Sequence, residues 1–227
     1  MSSSLVWNEY GAHHDCSRYW SAIHSGYSNA GRADLADLIS SPPFERLPFQ
    51  WAWANQIHSS VALHVTGPGY QGTADALWTT TRNIGILIQT ADCVPIILYA
   101  ENVIGVIHAG WRGIANGVIQ NTVVQMRREC STIRAIIAPC ISVDFYEVGE
   151  EVVESIIAMG IPRTVFCRES IPRPYVDLRT AVKYLLTSLE VELLYCDPRC
   201  TYNDSSLASY RRDGPLASRI ITAVALR

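Results

Sequence analysis

Cys93 and His108 are the residues of this chain whose types and spacing most directly suggest chemistry. Each closes an apolar, β-branched run: Gln89-Thr-Ala-Asp-Cys-Val-Pro-Ile-Ile-Leu-Tyr99 on one side, Val103-Ile-Gly-Val-Ile-His108 on the other. The break between them, Ala100-Glu-Asn102, is too short for a helix, so the two runs read as an antiparallel hairpin. A two-residue loop sets Cys93 directly opposite His108, and a three-residue loop moves the pairing by one step. Directly opposed Cβ atoms lie about 4.5–5.5 Å apart. A thiol and an imidazole at that separation can share a metal ion or a proton. Both lie at the end of the hairpin away from its turn.

The segment after His108 extends this reading. Ala109-Gly-Trp-Arg-Gly113 leaves the strand, and Ile114, Val118, Thr122, Val123 and Met126 then recur at helical spacing, predicting one helix to about Arg128–Glu129. Strand, glycine turn and helix start together aim unpaired N–H groups and a positive dipole end at an anion. Gly110 and Gly113 would admit that anion, and the Arg112 guanidinium would fork onto its phosphate or carboxylate oxygens. A bland reading makes the glycines a simple tight turn and Arg112 a solvated cation; the Cys/His pair at the turn's mouth favours chemistry. Asp92, next to Cys93 and of opposite strand parity, has two open roles. It either fixes the ligand shell and moves a proton, or is a hydrogen-bonded strand-end residue.

Thr90-Ala-Asp-Cys-Val-Pro95 followed by His108-Ala-Gly-Trp-Arg-Gly113 resembles the paired signatures of the YfiH-like family, often labelled the polyphenol oxidase (laccase) type. Gln56-Ile-His58, Gly72-Thr-Ala-Asp-Ala76, Tyr146-Glu-Val-Gly-Glu-Glu151, Val176-Asp-Leu178 and Ser209-Tyr-Arg-Arg-Asp-Gly214 are similar to further segments of that family. The resemblance covers roughly residues 50 to 227. Residues 1–50 depart from it: His24-Ser-Gly-Tyr-Ser28 stands where the family has an arginine before Gly-Gly-Val-Ser, and no arginine occupies the place. Asn29-Ala-Gly-Arg-Ala-Asp34 replaces a longer Asn-rich segment, and Arg32 is not taken as a substitute. The resemblance implies a layered α/β sandwich and His58 as a partner of Cys93 and His108. It also sets Gln56 and Arg211 at the substrate. Its implied activities are phosphorolysis of purine nucleosides and deamination of adenosine.

Two imidazoles and one thiolate leave one position open on a tetrahedral zinc ion, the cofactor expected here. Such a position admits a water whose pKa zinc lowers to about 7, the chemistry of zinc nucleobase deaminases. The expected partners are a purine nucleoside and phosphate. A multicopper oxidase needs many more histidines, typically in His-X-His pairs; this chain has six in all and no such pair, which argues against laccase chemistry. Two other readings remain. Cys93 as nucleophile with His108 as base would suit amide hydrolysis, including editing of a peptidoglycan precursor. A closed, structural zinc site would make the chain a non-enzymatic binding module.

The remaining sequence sets the frame. Its 227 residues, 48% hydrophobic and 17% charged, suit one domain with a well-buried core. A net charge of −3 argues against a nucleic-acid or membrane partner. The start lacks the pattern of a signal peptide, and seven cysteines without framework spacing point to reduced thiols in the cytoplasm. Strands are expected within Gln56–Val65 (broken near Ser59-Ser60), Asp75–Thr79, Ile84–Gln89, Ile133–Pro139, Val191–Tyr195 and Arg219–Leu226. Helices are expected over Glu150–Met159 and Leu178–Leu189, the latter capped by Asp177. Hairpins mixed with crossover helices predict an α+β fold with mixed, largely antiparallel sheets. His13-His14-Asp15 reads as solvated and His64 as structural. Cys196-Asp-Pro-Arg-Cys200 lacks the second ligand pair of a zinc knuckle.

Overall fold

Two six-stranded sheets carry the chain, and their threading decides which strand ends meet. The computed structural model describes residues 5–10, 17–24, 45 and 47–226; His13-His14-Asp15, Ser25–Ser28 and Arg32 lie outside the described residues. One sheet is ordered β1 (Leu5–Tyr10), β2 (Ser17–His24), β14 (Ile220–Leu226), β7 (Ile84–Thr90), β3 (Gln50–Asn55), β5 (Gly69–Thr73). The other is ordered β13 (Glu192–Cys196), β10 (Arg134–Ile137), β8 (Val94–Tyr99), β9 (Ile104–Ala109), β6 (Ala76–Thr79), β4 (Ala62–His64). A small ribbon pairs β11 (Cys167–Arg168) with β12 (Tyr175–Val176). The helices are α1 (Trp111–Ala115), α2 (Val118–Met126), α3 (Glu150–Ile157), α4 (Arg163–Phe166), α5 (Leu178–Ser188) and α6 (Tyr210–Asp213). Both larger sheets are mixed, with antiparallel pairings in the majority.

Alternation along the central strands builds the layers. Ile96, Leu98 and Ile107 turn to the helices, where they pack with Ile114, Val123, Met126 and Leu185. Ile97, Ile104 and Val106 turn the other way and meet Ile86, Ile88 and Val224 of the facing sheet. Leu87, Ile221 and Ala223 cover the far side of that sheet with Trp51. Because both faces of β7, β8, β9 and β14 are covered, these strands read as near-continuous apolar runs. The result is helices on one sheet and that sheet on the other: the α+β sandwich the sequence implies.

Two local expectations are corrected, and one further segment takes shape. The single helix after the glycine turn is two helices, because Gly117 adopts φ 84° between α1 and α2; the spacing survives the break, and Ile114, Val118, Val123 and Met126 are all fully buried. The expected strand over Gln56–Val65 is strand only at Ala62–His64, since His58 has φ 62° and the preceding strand ends at Asn55. His58 and His64 therefore do not share a strand face; His64 stacks on Trp78, with ring centroids 4.1 Å apart. The Ser209–Gly214 segment is a short helix, α6, with the Ser209 side chain accepting from the Arg212 N–H. Asp177 caps α5 as expected, accepting from the Thr180 N–H.

Candidate metal centre

The hairpin of β8 and β9 forms, but its register differs from the expected one. Tyr99 pairs with Ile104 and Pro95 with His108, and the turn closes on Ala100–Val103, whose first N–H donates to the last carbonyl at 2.9 Å. Cys93, one residue before β8, consequently faces Gly110, and His108 is its diagonal neighbour. The slip is two residues, and a slip of two preserves the face on which each side chain lies. Cys93 and His108 still converge.

His58 completes the set. The ligand-type atoms of His58, Cys93 and His108 all lie within 4.8 Å of one another, a group that could hold a metal ion. Cys93 Sγ is 3.8 Å from His58 Nε2, and the two imidazoles meet edge-on with centroids 4.7 Å apart. His58 is exposed, Cys93 half-buried and His108 buried, so the group has an inner wall and an open side. Gly110 explains itself here. Its backbone is ordinary, at φ −76°, but a Cβ on it would come within 2.8 Å of Cys93 Sγ and 2.9 Å of His58 Cδ2. Glycine is required for space, not for a left-handed turn.

Asp75 was not singled out as a site residue, yet its fully buried carboxylate anchors the group. Oδ1 accepts from the His58 N–H at 2.9 Å and lies 2.8 Å from His108 Nδ1. Oδ2 accepts from the N–H groups of Ile57 and Ser59 at 3.2 and 2.5 Å and from the Ser59 hydroxyl at 2.7 Å. The Asp75 carbonyl also accepts from the His108 N–H at 2.7 Å. Burial works to raise this carboxyl, but the bonds from His108 and Ser59 hold it at about 2. Burial likewise works to raise the Cys93 thiol, and the His108 and His58 imidazoles bring it down to about 6. For His108 burial works to lower the imidazole, while Cys93 and Asp75 lift it to about 9.

The other expected residues divide. Asp92, at φ 86°, spends its carboxylate on other groups than the ligand set: it accepts from Thr201 Oγ1 and from the Arg211 backbone N–H, both at 2.6 Å. Gln56 ties two segments together: its amide donates to the Gln89 carbonyl at 2.7 Å and accepts the Gln89 N–H at 2.8 Å. Gly113 lies inside α1, where a Cβ would meet Val118 Cγ1 at 3.3 Å and the Ser59 carbonyl at 3.4 Å. With only five residues, α1 offers little dipole to an anion. The exposed guanidinium of Arg112 lies 4.2 Å over the Trp111 ring. That of Arg211 lies 5.1 Å over Tyr146 and donates to the Glu147 carbonyl at 2.9 Å. Tyr146 is a second residue the sequence reading missed. Burial pushes its phenol up, as does the Cys93 charge, while Arg211 and Arg112 pull it down. Asp75 and Tyr146 both fall in segments that carry the family resemblance, the one signal that could have found them.

A layered sandwich with a two-histidine, one-cysteine group at the mouth of its central hairpin is the class of protein defined here. The chain belongs to the family described as multi-copper polyphenol oxidoreductase laccase, whose pattern matches residues 33–227 and which includes the YfiH proteins. A purine nucleoside phosphorylase of Deinococcus radiodurans is 35% identical over 203 residues, spanning 87% of this chain and 76% of that one. Purine nucleoside phosphorylase YfiH of Escherichia coli is 32% identical, covering 77% of this chain and 74% of that one. Among solved structures, YlmD from Geobacillus stearothermophilus superposes with a TM-score of 0.79 at 25% identity, covering 93% of this chain and 92% of its own. A Neisseria meningitidis protein superposes with a TM-score of 0.80 over 98% of both chains at 24% identity, a likeness of fold. Despite the family's copper description, one group of metal-type ligands, the three residues above, is present among the described residues.

Proposed function

We propose that this protein is a zinc-dependent, cytoplasmic enzyme acting on purine nucleosides, by phosphorolysis of adenosine or inosine, by deamination of adenosine, or both. The observation that carries the reading is the convergence of His58, Cys93 and His108 within 4.8 Å, open on the His58 side. The names of relatives matched over more than two thirds of their length support the purine and the phosphate. The donor set suits zinc: two imidazoles and a thiol already drawn toward its anion, each of which gives up any proton on its ligating atom to the ion. When bound, the ion supplies Lewis acidity. The chain's own groups do the rest. Arg112, over Trp111, and Arg211, over Tyr146, offer guanidinium forks to phosphate. Tyr146, kept protonated, presents a neutral hydrogen-bond donor beside Arg211, and Asp92 anchors the backbone that carries Arg211. No helix among the described residues is long and apolar enough to cross a membrane.

The test incubates zinc-replete protein with adenosine and inosine, with and without phosphate, and follows free base and ammonia separately. Phosphate-dependent release of adenine or hypoxanthine supports phosphorolysis; phosphate-independent ammonia supports deamination. Neither product from any purine nucleoside sinks the proposal. One observation favours a second reading. The Cys93 thiol, lowered beside a raised His108, is also the arrangement of a cysteine nucleophile and its partner acid, as in an amide hydrolase. Metal analysis separates the two, because full amide-hydrolase turnover by rigorously metal-free protein belongs only to the second.

A further inference from the structure

The Asp75 carboxylate ties together two stretches of chain that must meet for the ligand set to exist. It receives three successive backbone N–H groups, from Ile57, His58 and Ser59, and the ring nitrogen of His108. The first set holds His58 in a left-handed conformation, at φ 62°, that is uncommon outside glycine. The ring contact fixes which nitrogen of His108 is free. With Nδ1–H given to Asp75, Nε2 is the nitrogen left to face a metal, which takes the place of any proton there.

We propose that Asp75 is the positioning residue of the metal site, setting the His108 tautomer and the His58 backbone through one carboxylate. The inference rests on reading the site as a metal centre and is independent of the substrate. Asparagine at position 75 offers one acceptor oxygen where two are used, and its amide N–H groups face donors. Either the Ile57–Ser59 loop loses its anchor, or His108 turns its bare nitrogen toward position 75 and protonates Nε2. Both outcomes weaken the metal.

The test has two parts. In zinc-loaded parent protein with 15N-labelled histidine, His108 is expected to keep its proton on Nδ1 and to show a coordinated Nε2. A coordinated Nδ1, or a proton on Nε2, overturns the proposal without any variant. Zinc affinity is then measured by competition with a chromophoric chelator, alongside the thiolate-to-metal absorption of the Co2+ form. Asp75→Asn is expected to bind zinc about 10–100-fold more weakly, with an altered cobalt spectrum, as for outer-shell partners of metal-bound histidines. Ser59→Ala, which removes one donor and keeps the carboxylate, should retain most of the parent affinity. An Asp75→Asn protein with parent affinity and spectrum overturns the role of Asp75 alone. A parent protein that takes up no zinc overturns the metal reading itself, and if Asp75→Asn does not fold, the labelled-histidine result decides.

Discussion

Asp75 and Asp92 are both buried carboxylates at strand ends beside the ligand set, 0% and 7% exposed, and each is bound up with a left-handed residue. Asp75 imposes that conformation on His58; Asp92 adopts it itself. What differs is what each carboxylate receives. Asp75 accepts from the His58 loop and from His108, so it governs the metal side. Asp92 accepts from Thr201 and from the backbone of Arg211, so it holds the segment that carries the proposed phosphate ligand Arg211. A buried acid next to a candidate site is therefore not by that fact an acid–base catalyst. Its hydrogen-bond partners say which half of the site it holds.

The division can be broken most sharply at its centre. Cys93→Ala should abolish stoichiometric zinc and turnover together while leaving far-UV circular dichroism intact, because each of the apolar side chains around the hairpin contributes about 1.5–3 kcal/mol to folding without a metal. Full zinc content in that variant would end the metal reading. Next in size is Gly110→Ala, whose new Cβ lies at 2.8 Å from Cys93 Sγ. Overpacking of this kind costs about 1–3 kcal/mol, or roughly five- to 150-fold in zinc affinity if the strain falls on the ligands. Chelator competition reads it, and unchanged affinity would show that the site has slack.

Asp92→Asn tests the other half. Zinc content should stay at the parent value, while stability falls by about 1.5–3 kcal/mol through weakened charged hydrogen bonds and the phosphate KM rises. Loss of zinc from this variant would erase the distinction between the two aspartates. The smallest effect is expected from Arg112→Lys, which keeps the charge and loses the fork, raising the phosphate KM by roughly tenfold or less with zinc affinity unchanged. An unaltered phosphate dependence would remove Arg112 from the anion site and leave Arg211 as its candidate.

What the sequence determined by itself is everything that depends on local alternation and spacing. The runs around Ile96–Leu98 and Ile104–His108 had to be strands in a covered sheet, and an even shift of their register brings Cys93 and His108 to one face. They share that face even though the turn took four residues and moved the register by two. The helical spacing after Gly110 was equally legible, although it could not show that Gly117 would break the helix in two. Tertiary structure alone decided the rest. The place of His58 depends on a carboxylate 17 residues away, that of His108 on the same carboxylate 33 residues away, and that of Arg211 on Asp92 at a separation of 119. Gly110 is glycine because two side chains from different segments crowd its α-carbon. Periodicity records which face a residue takes, since that follows from backbone geometry within a few residues. Which distant group meets it there is settled only when two sheets and their helices pack, and that is where this site acquires its ligands.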